Sequence, residues 1–331
     1  MNEKKAMVRL APIFAVVAGI FWGSEGSFVR VLTSYGMNNI TILGTRLGGA
    51  VIVLFFIILF TNRSKMKINP RDIFLFICIG GLGSVALNFC YNEAINRMTL
   101  SLAAVLLDLC PVYMIIIAFF AFHEKITGRK VLCLLLSLAG VILLSGLGTS
   151  KPVWTKLGLL FGILSGIFYA SYGLLSKAAT NKGYTSTTLN FYSLLFGALI
   201  CAPFTDWKTT GAIISSFGAK AVVVMIFNSL CCSLFPYLLF ASALQYIDAG
   251  KAGILALGEP VAAMILGLLL FNEIPTILML LGMVVIIIAL VIMNMPDKNA
   301  IAEGASPEEI SGSSIKTADL GRNDSQDNRE K

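Results

Sequence analysis

Ten apolar stretches of roughly twenty residues each, divided by short polar turns, fill the chain as far as Asn294 and leave it few possible folds. A bilayer core about 30 Å thick takes roughly 20 helical residues at 1.5 Å rise each. The stretches run Leu10–Leu32, Asn38–Phe60, Asp72–Asn96, Thr99–Phe122 and Lys130–Leu147, then Leu157–Ala179, Thr187–Phe204, Lys220–Tyr246, Gly250–Phe271 and Pro275–Asn294. Charged residues make up 13% of the chain, against about 25% in a soluble domain, too few to cover it in water. The expected fold is therefore an all-α membrane protein of ten transmembrane helices.

The remaining composition agrees. Cys78, Cys90, Cys110, Cys133, Cys201, Cys231 and Cys232 all lie inside apolar runs without a CxxC pair. They read as small hydrophobes, not as a disulfide framework or metal site. Lys4, Lys5 and Arg9 resemble the start of a signal peptide, but the run behind them is too long and continues through Glu25, so it reads as the first membrane helix. Residues 295–331 turn to Ser, Asp, Glu, Asn and Lys and are expected to form a disordered cytoplasmic tail.

Basic residues orient the helices. With the N-terminus in the cytoplasm, about fourteen Lys and Arg fall on the inner side and about six on the outer side. The inner group includes Arg63, Lys65, Lys67, Arg71, Lys125, Arg129, Lys130, Lys177 and Lys182; Arg30, Arg97 and Lys208 belong to the outer group. The expected location is the inner cell membrane, multi-pass, with both termini cytoplasmic. The net charge of +7 follows from this topology and gives no reason to expect a nucleic-acid partner.

An internal repeat organises the chain. Gly19-Ile20-Phe21-Trp22-Gly23-Ser24-Glu25-Gly26 aligns without a gap on Gly166-Ile167-Phe168-Tyr169-Ala170-Ser171-Tyr172-Gly173, and Arg30 falls on Lys177. Pro111 and Glu124 recur as Pro260 and Glu273, and Ala94 as Ala243, at a spacing two residues longer. Residues 1–147 and 154–294 then form two five-helix halves. Because five is odd, the second half is expected to be inverted, the usual design of alternating-access transporters.

These residues resemble the drug/metabolite transporter superfamily, EamA type, over roughly residues 11–294. The resemblance rests on Phe21-Trp22-Gly23-Ser24, on Pro111 followed by Glu124, and on Gly258-Glu259-Pro260-Val261 followed by Leu270-Phe271-Asn272-Glu273. Asn272 and His123 stand where the family often has Gly, and Glu25 and Asp108 where small or neutral polar residues are common. The resemblance implies ten helices, two EamA domains and movement of small metabolites across a membrane, without naming a substrate.

The polar residues inside the apolar stretches are the candidate site. At 1.5 Å per residue, Glu25, Arg46, Asn88, Asp108 and Glu259 all lie about 10–14 Å from a membrane face. Intramembrane charges are expensive and face a cavity or a partner. Three acids against one base leave charge for a cation, a substrate amine or protons to balance. Glu25 has two readings, a proton-carrying coupling carboxylate or a structural partner of Arg46; Arg46 in turn either pairs an acid or receives a substrate carboxylate. Asp108 sits three residues before Pro111, where a bend is expected. Glu259 serves as a ligand or in folding. Trp22 and Tyr91, with Tyr169, Tyr172, Tyr192 and Tyr237, are candidate cavity aromatics. Glu124 is expected to pair with Lys125 and Arg129 in its turn.

No HExxH, GxSxG, P-loop or Rossmann pattern occurs, and His123 is the single histidine. The expected function is a secondary transporter, an exporter of a small organic metabolite, with proton coupling and an amine-bearing or cationic substrate, and with no enzyme activity, cofactor or metal. The alternatives are a non-transporting membrane scaffold or receptor, and an intramembrane enzyme.

Overall fold

The computed structural model describes residues 2–61, 63–98, 100–144, 155–272 and 274–295, and its regular elements are helices. Among the described residues nine helices are long and apolar enough to cross a membrane. They are α1 (Met7–Ser34), α2 (Asn39–Thr61), α3 (Pro70–Ala94) and α4 (Ala103–Phe122) and, beyond α5, α6 (Lys156–Asn181), α7 (Ser186–Phe204), α8 (Ala219–Leu244), α9 (Ala249–Phe271) and α10 (Ile277–Asn294). α5 (Gly128–Leu144) has 17 residues, at the short end of what spans a bilayer. The expected end of this span at Leu147, the Thr99 start of α4, Glu273 and the tail after Met295 lie outside the described residues.

Lipid offers the backbone no hydrogen bonds, so the apolar runs satisfy themselves as helices. Threonine side chains cap three of them: Thr155 accepts from the Gly158 amide at 3.0 Å, Thr185 from Thr188 at 3.2 Å and Thr276 from Met279 at 3.3 Å. α4 and α9 both end in a left-handed residue, His123 and Asn272, each with φ 54°. Asn tolerates that conformation and Gly prefers it, which accounts for the glycine common at these positions. The sequence did not announce the connecting helix Trp207–Phe217, which buries Thr210 and Ile213 and leaves Trp207 and Phe217 exposed.

Three of the membrane helices are broken. α1 breaks at Ser24, whose hydroxyl and amide both donate to Phe21 O, at 2.6 and 3.0 Å. α4 breaks between Leu107 and Cys110, and α9 between Ala256 and Glu259. Pro111 and Pro260 lack the N–H that would bond Leu107 O and Ala256 O one turn earlier, so the ladder opens there. α3 and α8 instead carry π-turns at Gly81–Ala86 and Leu230–Leu234, and their first residues differ by the repeat offset (230 − 81 = 149).

The halves interlock through repeat-related contacts. α1 packs on α8 and α9, and α6 packs on α3 and α4; α2 meets α7, and α5 meets α10. Glycine permits the closest crossings. A Cβ on Gly19 would strike Ala256 O, while one on its counterpart Gly166 would lie 2.7 Å from Leu106 O. A Cβ on Gly23 would strike Glu259 O and sit 2.8 Å from Ala262 Cβ. The Gly23→Val variant should therefore lose about 1–3 kcal/mol of stability, seen as a lower melting temperature in detergent. Gly26→Ala should be tolerated, since a Cβ there meets nothing within 4 Å.

Candidate functional site

The three helix breaks bring their acids to one place. Glu25 opens the second segment of α1, Glu259 opens that of α9, and Asp108 lies in the break of α4. The N-terminal ends of the segments beginning at Glu25 and Glu259 offset part of each negative charge. Around these residues lies a cavity of about 510 Å³, in the range of about 300–1,000 Å³ that holds small organic ligands.

Of the candidates named above, Trp22, Glu25, Arg46, Asn88, Tyr91, Asp108 and Glu259 line it, as do Tyr169, Tyr172 and Tyr237. Exposed Arg30 and Asn39, at the end of α1 and the start of α2, form its rim together with Asn92. Asp108 and Arg46, 6% and 3% exposed, form its depth. The mouth thus faces the end of the bundle at which α1 and α3 finish and α2 begins.

Charge is divided unevenly inside. Arg46 Nη1 is ion-paired with Glu25 Oε1, and Arg46 Nε is buried without a hydrogen-bond partner. Of the two readings of Glu25, the pair with Arg46 is therefore formed. Asp108 and Glu259 have no basic side chain within ion-pair distance among the described residues. Glu259 Oε2 instead accepts a hydrogen bond from the Tyr169 hydroxyl at 3.0 Å.

Aromatic rings close the floor. Trp22 meets Tyr169 and Tyr237 edge-on, with centroids 5.9 and 5.5 Å apart, and Phe240 at 5.3 Å. Tyr172 is held by Asn190 Oδ1 at 3.1 Å, and Asn190 donates to Tyr237 O at 3.0 Å. Asn88 donates to Ser84 O at 2.8 Å, fixing the amide on α3. Gly83 gives Tyr172 room, since a Cβ there would lie 2.6 Å from Tyr172 Cβ.

Two expectations change. Tyr192 does not line the cavity; its hydroxyl donates to Met66 O at 2.5 Å. Glu124 pairs with Lys130 at 3.7 Å and accepts from the Ala249 amide at 2.8 Å, in place of the expected pair with Lys125 and Arg129. The turn brings the start of α5 and α9 to it from opposite halves, which local spacing cannot reveal. The rim residues Arg30, Asn39 and Asn92 were also not anticipated; their signal was polarity at the same helix ends.

The pair makes a stability prediction. Glu25→Gln leaves buried Arg46 without its carboxylate and should cost about 1–3 kcal/mol, the lower part of that range reflecting a Glu25 that is 33% exposed to the cavity, read as a fall in melting temperature. The double variant Glu25→Gln/Arg46→Met removes both charges and should recover most of that loss. Equal loss in single and double variants would contradict the pairing.

The sequence pattern of the EamA-like transporter family matches twice, over residues 9–146 and 156–295. An uncharacterized transporter of Archaeoglobus fulgidus is 27% identical over 269 residues, covering 81% of this chain and 90% of the relative. One from Clostridium kluyveri is 24% identical, covering 87% and 94%, and the uncharacterized transporter YxxF of Bacillus subtilis is 24% identical, covering 91% and 95%. A solved crystal structure, 16% identical, has the same fold with a TM-score of 0.67 over 85% of this chain and 95% of its own. With nine apolar spans among the described residues and two matching repeats, this multi-pass membrane protein belongs to the EamA-like transporter family.

Proposed function

We propose that the protein exports a small organic solute carrying an amine or other cationic group, in exchange for protons, by alternating access of the central cavity. The observation that carries the reading is the pair of cavity acids, Asp108 and Glu259, with no basic partner among the described residues, beside an Arg46 already neutralised by Glu25. A proton or a cationic group balances such acids, and the two compete for the same oxygens. The aromatic floor of Trp22, Tyr169 and Tyr237 adds ring faces and edges suited to an organic cation.

Competition supplies coupling without a further device. An empty, charged site is costly to carry through an occluded state, so each crossing is made with protons or solute bound. A proton gradient directed into a cell then drives the solute outward. In this scheme Glu25 and Arg46 hold the cavity wall, and Asp108 and Glu259 carry the exchange. The two halves, residues 1–147 and 154–294, move as inverted repeats with both termini in the cytoplasm of a cell whose inner membrane holds the protein. An odd number of helices in each half and the basic bias of one side support that arrangement.

The test is flux into proteoliposomes under an imposed pH gradient, with the solute chosen by an export screen of cells with and without the protein. Asp108→Asn and Glu259→Gln should each lower gradient-driven flux by roughly tenfold or more, equivalent to ~1.4 kcal/mol, while remaining folded because each keeps its shape and loses a charge that has no basic partner. Flux that still follows the gradient in both variants would remove the carboxylates from the mechanism.

A further inference from the structure

A second group of buried charges lies at the end of the bundle opposite the cavity mouth. Lys130, in the first turn of α5, reaches Asp248 Oδ2 at 3.0 Å and Glu124 Oε2 at 3.7 Å. The Lys130 and Glu124 side chains are only 7% and 9% exposed. Glu124 accepts from the Ala249 amide, at the start of α9, where a helix N-terminus favours an anion. Lys177, from α6, donates to Leu244 O at 2.7 Å and Ile247 O at 3.0 Å, at the end of α8. The end of α4 and the start of α5, from the first half, are thereby tied to α9 of the second, and within that second half α6 is tied to the end of α8.

The space between this cluster and the cavity is closed except for one small pocket. Beyond Asp108 and Glu259 comes a small pocket bordered by Cys110, Met114 and Gly253. Past it, a Cβ on Gly250 would lie 2.8 Å from Ile115 Cγ1. The segments Cys110–Phe122 and Ala249–Ala256 run from the breaks of α4 and α9 to the cluster. Each break opens the helix ladder, so in the closure proposed next its inner segment tilts as a unit.

We propose that Glu124, Lys130, Lys177 and Asp248 form the lock that closes the inner end of the transport path, and that its release opens the path by swinging the inner segments of α4 and α9. The proposal rests on the transport reading, since a lock has a purpose only where a path exists. A loop-fixing pair at a surface is worth little; this one buries its central lysine and joins the two halves. Burial, with Asp248 nearby, pushes the Glu124 carboxyl above its usual range, against the opposing pull of the Ala249 amide and Lys130.

Cys110, 4% exposed, is a native reporter on the closed route. The experiment places Cys110 alone in a chain whose other cysteines are alanine and measures its rate of reaction with a polar maleimide in nanodiscs, without solute. Lys130→Met and Lys177→Met should each raise the rate by about tenfold, while Glu124→Gln, which keeps an acceptor for the Ala249 amide, should stay within about twofold. A parallel chain retaining only Cys201, fully buried and outside the linings of the cavity and the small pocket, should remain unreactive in all variants. Unchanged Cys110 rates in both lysine variants would overturn the lock, as would Cys201 rising together with Cys110, which marks general loosening. Because labelling needs no solute, a rate increase without gradient-driven flux of an amine would retain the lock and its path and remove the proposed amine–proton exchange, and flux without a rate increase would do the reverse.

Discussion

A carboxylate inside a bilayer must find a partner, a proton or water, and Glu25, Asp108 and Glu259 stand where three helices break. The breaks and the acids belong together. An opened helix turn exposes backbone amides and carbonyls that lipid cannot satisfy, so it is tolerated where it lines a cavity. The same cavity is the place where a charged side chain is least costly. Closely packed glycines, Gly19 and Gly23 against α9, press the broken turns of α1 and α9 together and set Glu25 within reach of Arg46 on α2. The polar centre of the protein thus follows from a few positions at which side chains are absent or prolines deny a hydrogen bond.

The sequence made the outline readable because charge is conspicuous in an apolar run. Nine of the ten expected spans, the doubled sequence pattern, and the shared cavity of Glu25, Arg46, Asn88, Asp108 and Glu259 were legible from period, depth and cost. The bend at Asp108 was legible through Pro111. The break at Ser24 was not, since its counterpart Ser171 makes the same hydroxyl bond, to Phe168 O at 2.6 Å, inside an unbroken α6; the difference lies in what packs against each helix. Glu124 was misassigned for a related reason. Nearby bases in the turn looked sufficient, yet its partners include Ala249, 125 positions away. Pairings that cross from one half to the other are set by tertiary packing, which a local pattern does not record.

The two halves share contacts and helix breaks but differ at their ends. At one end, polar side chains on α1, α2 and α3 surround an open cavity; at the other, Lys130 and Lys177 hold the helix ends together. A duplicated fold caught with one end open and the other closed is the arrangement alternating access requires. The π-turns of α3 and α8, at matching repeat positions, add a weak point in each half. One of them, through Gly83, lies in the cavity wall.

The central claim is that Asp108 and Glu259 exchange a proton for a cation at the same oxygens. The most direct measurement is the count of protons released when purified protein binds a small aromatic amine, phenethylamine, in weakly buffered detergent. The account predicts that release accompanies binding in the wild type, in an amount that varies with pH, and that it disappears in the Asp108→Asn/Glu259→Gln double variant. Binding at equal affinity with no proton release at any pH would contradict it.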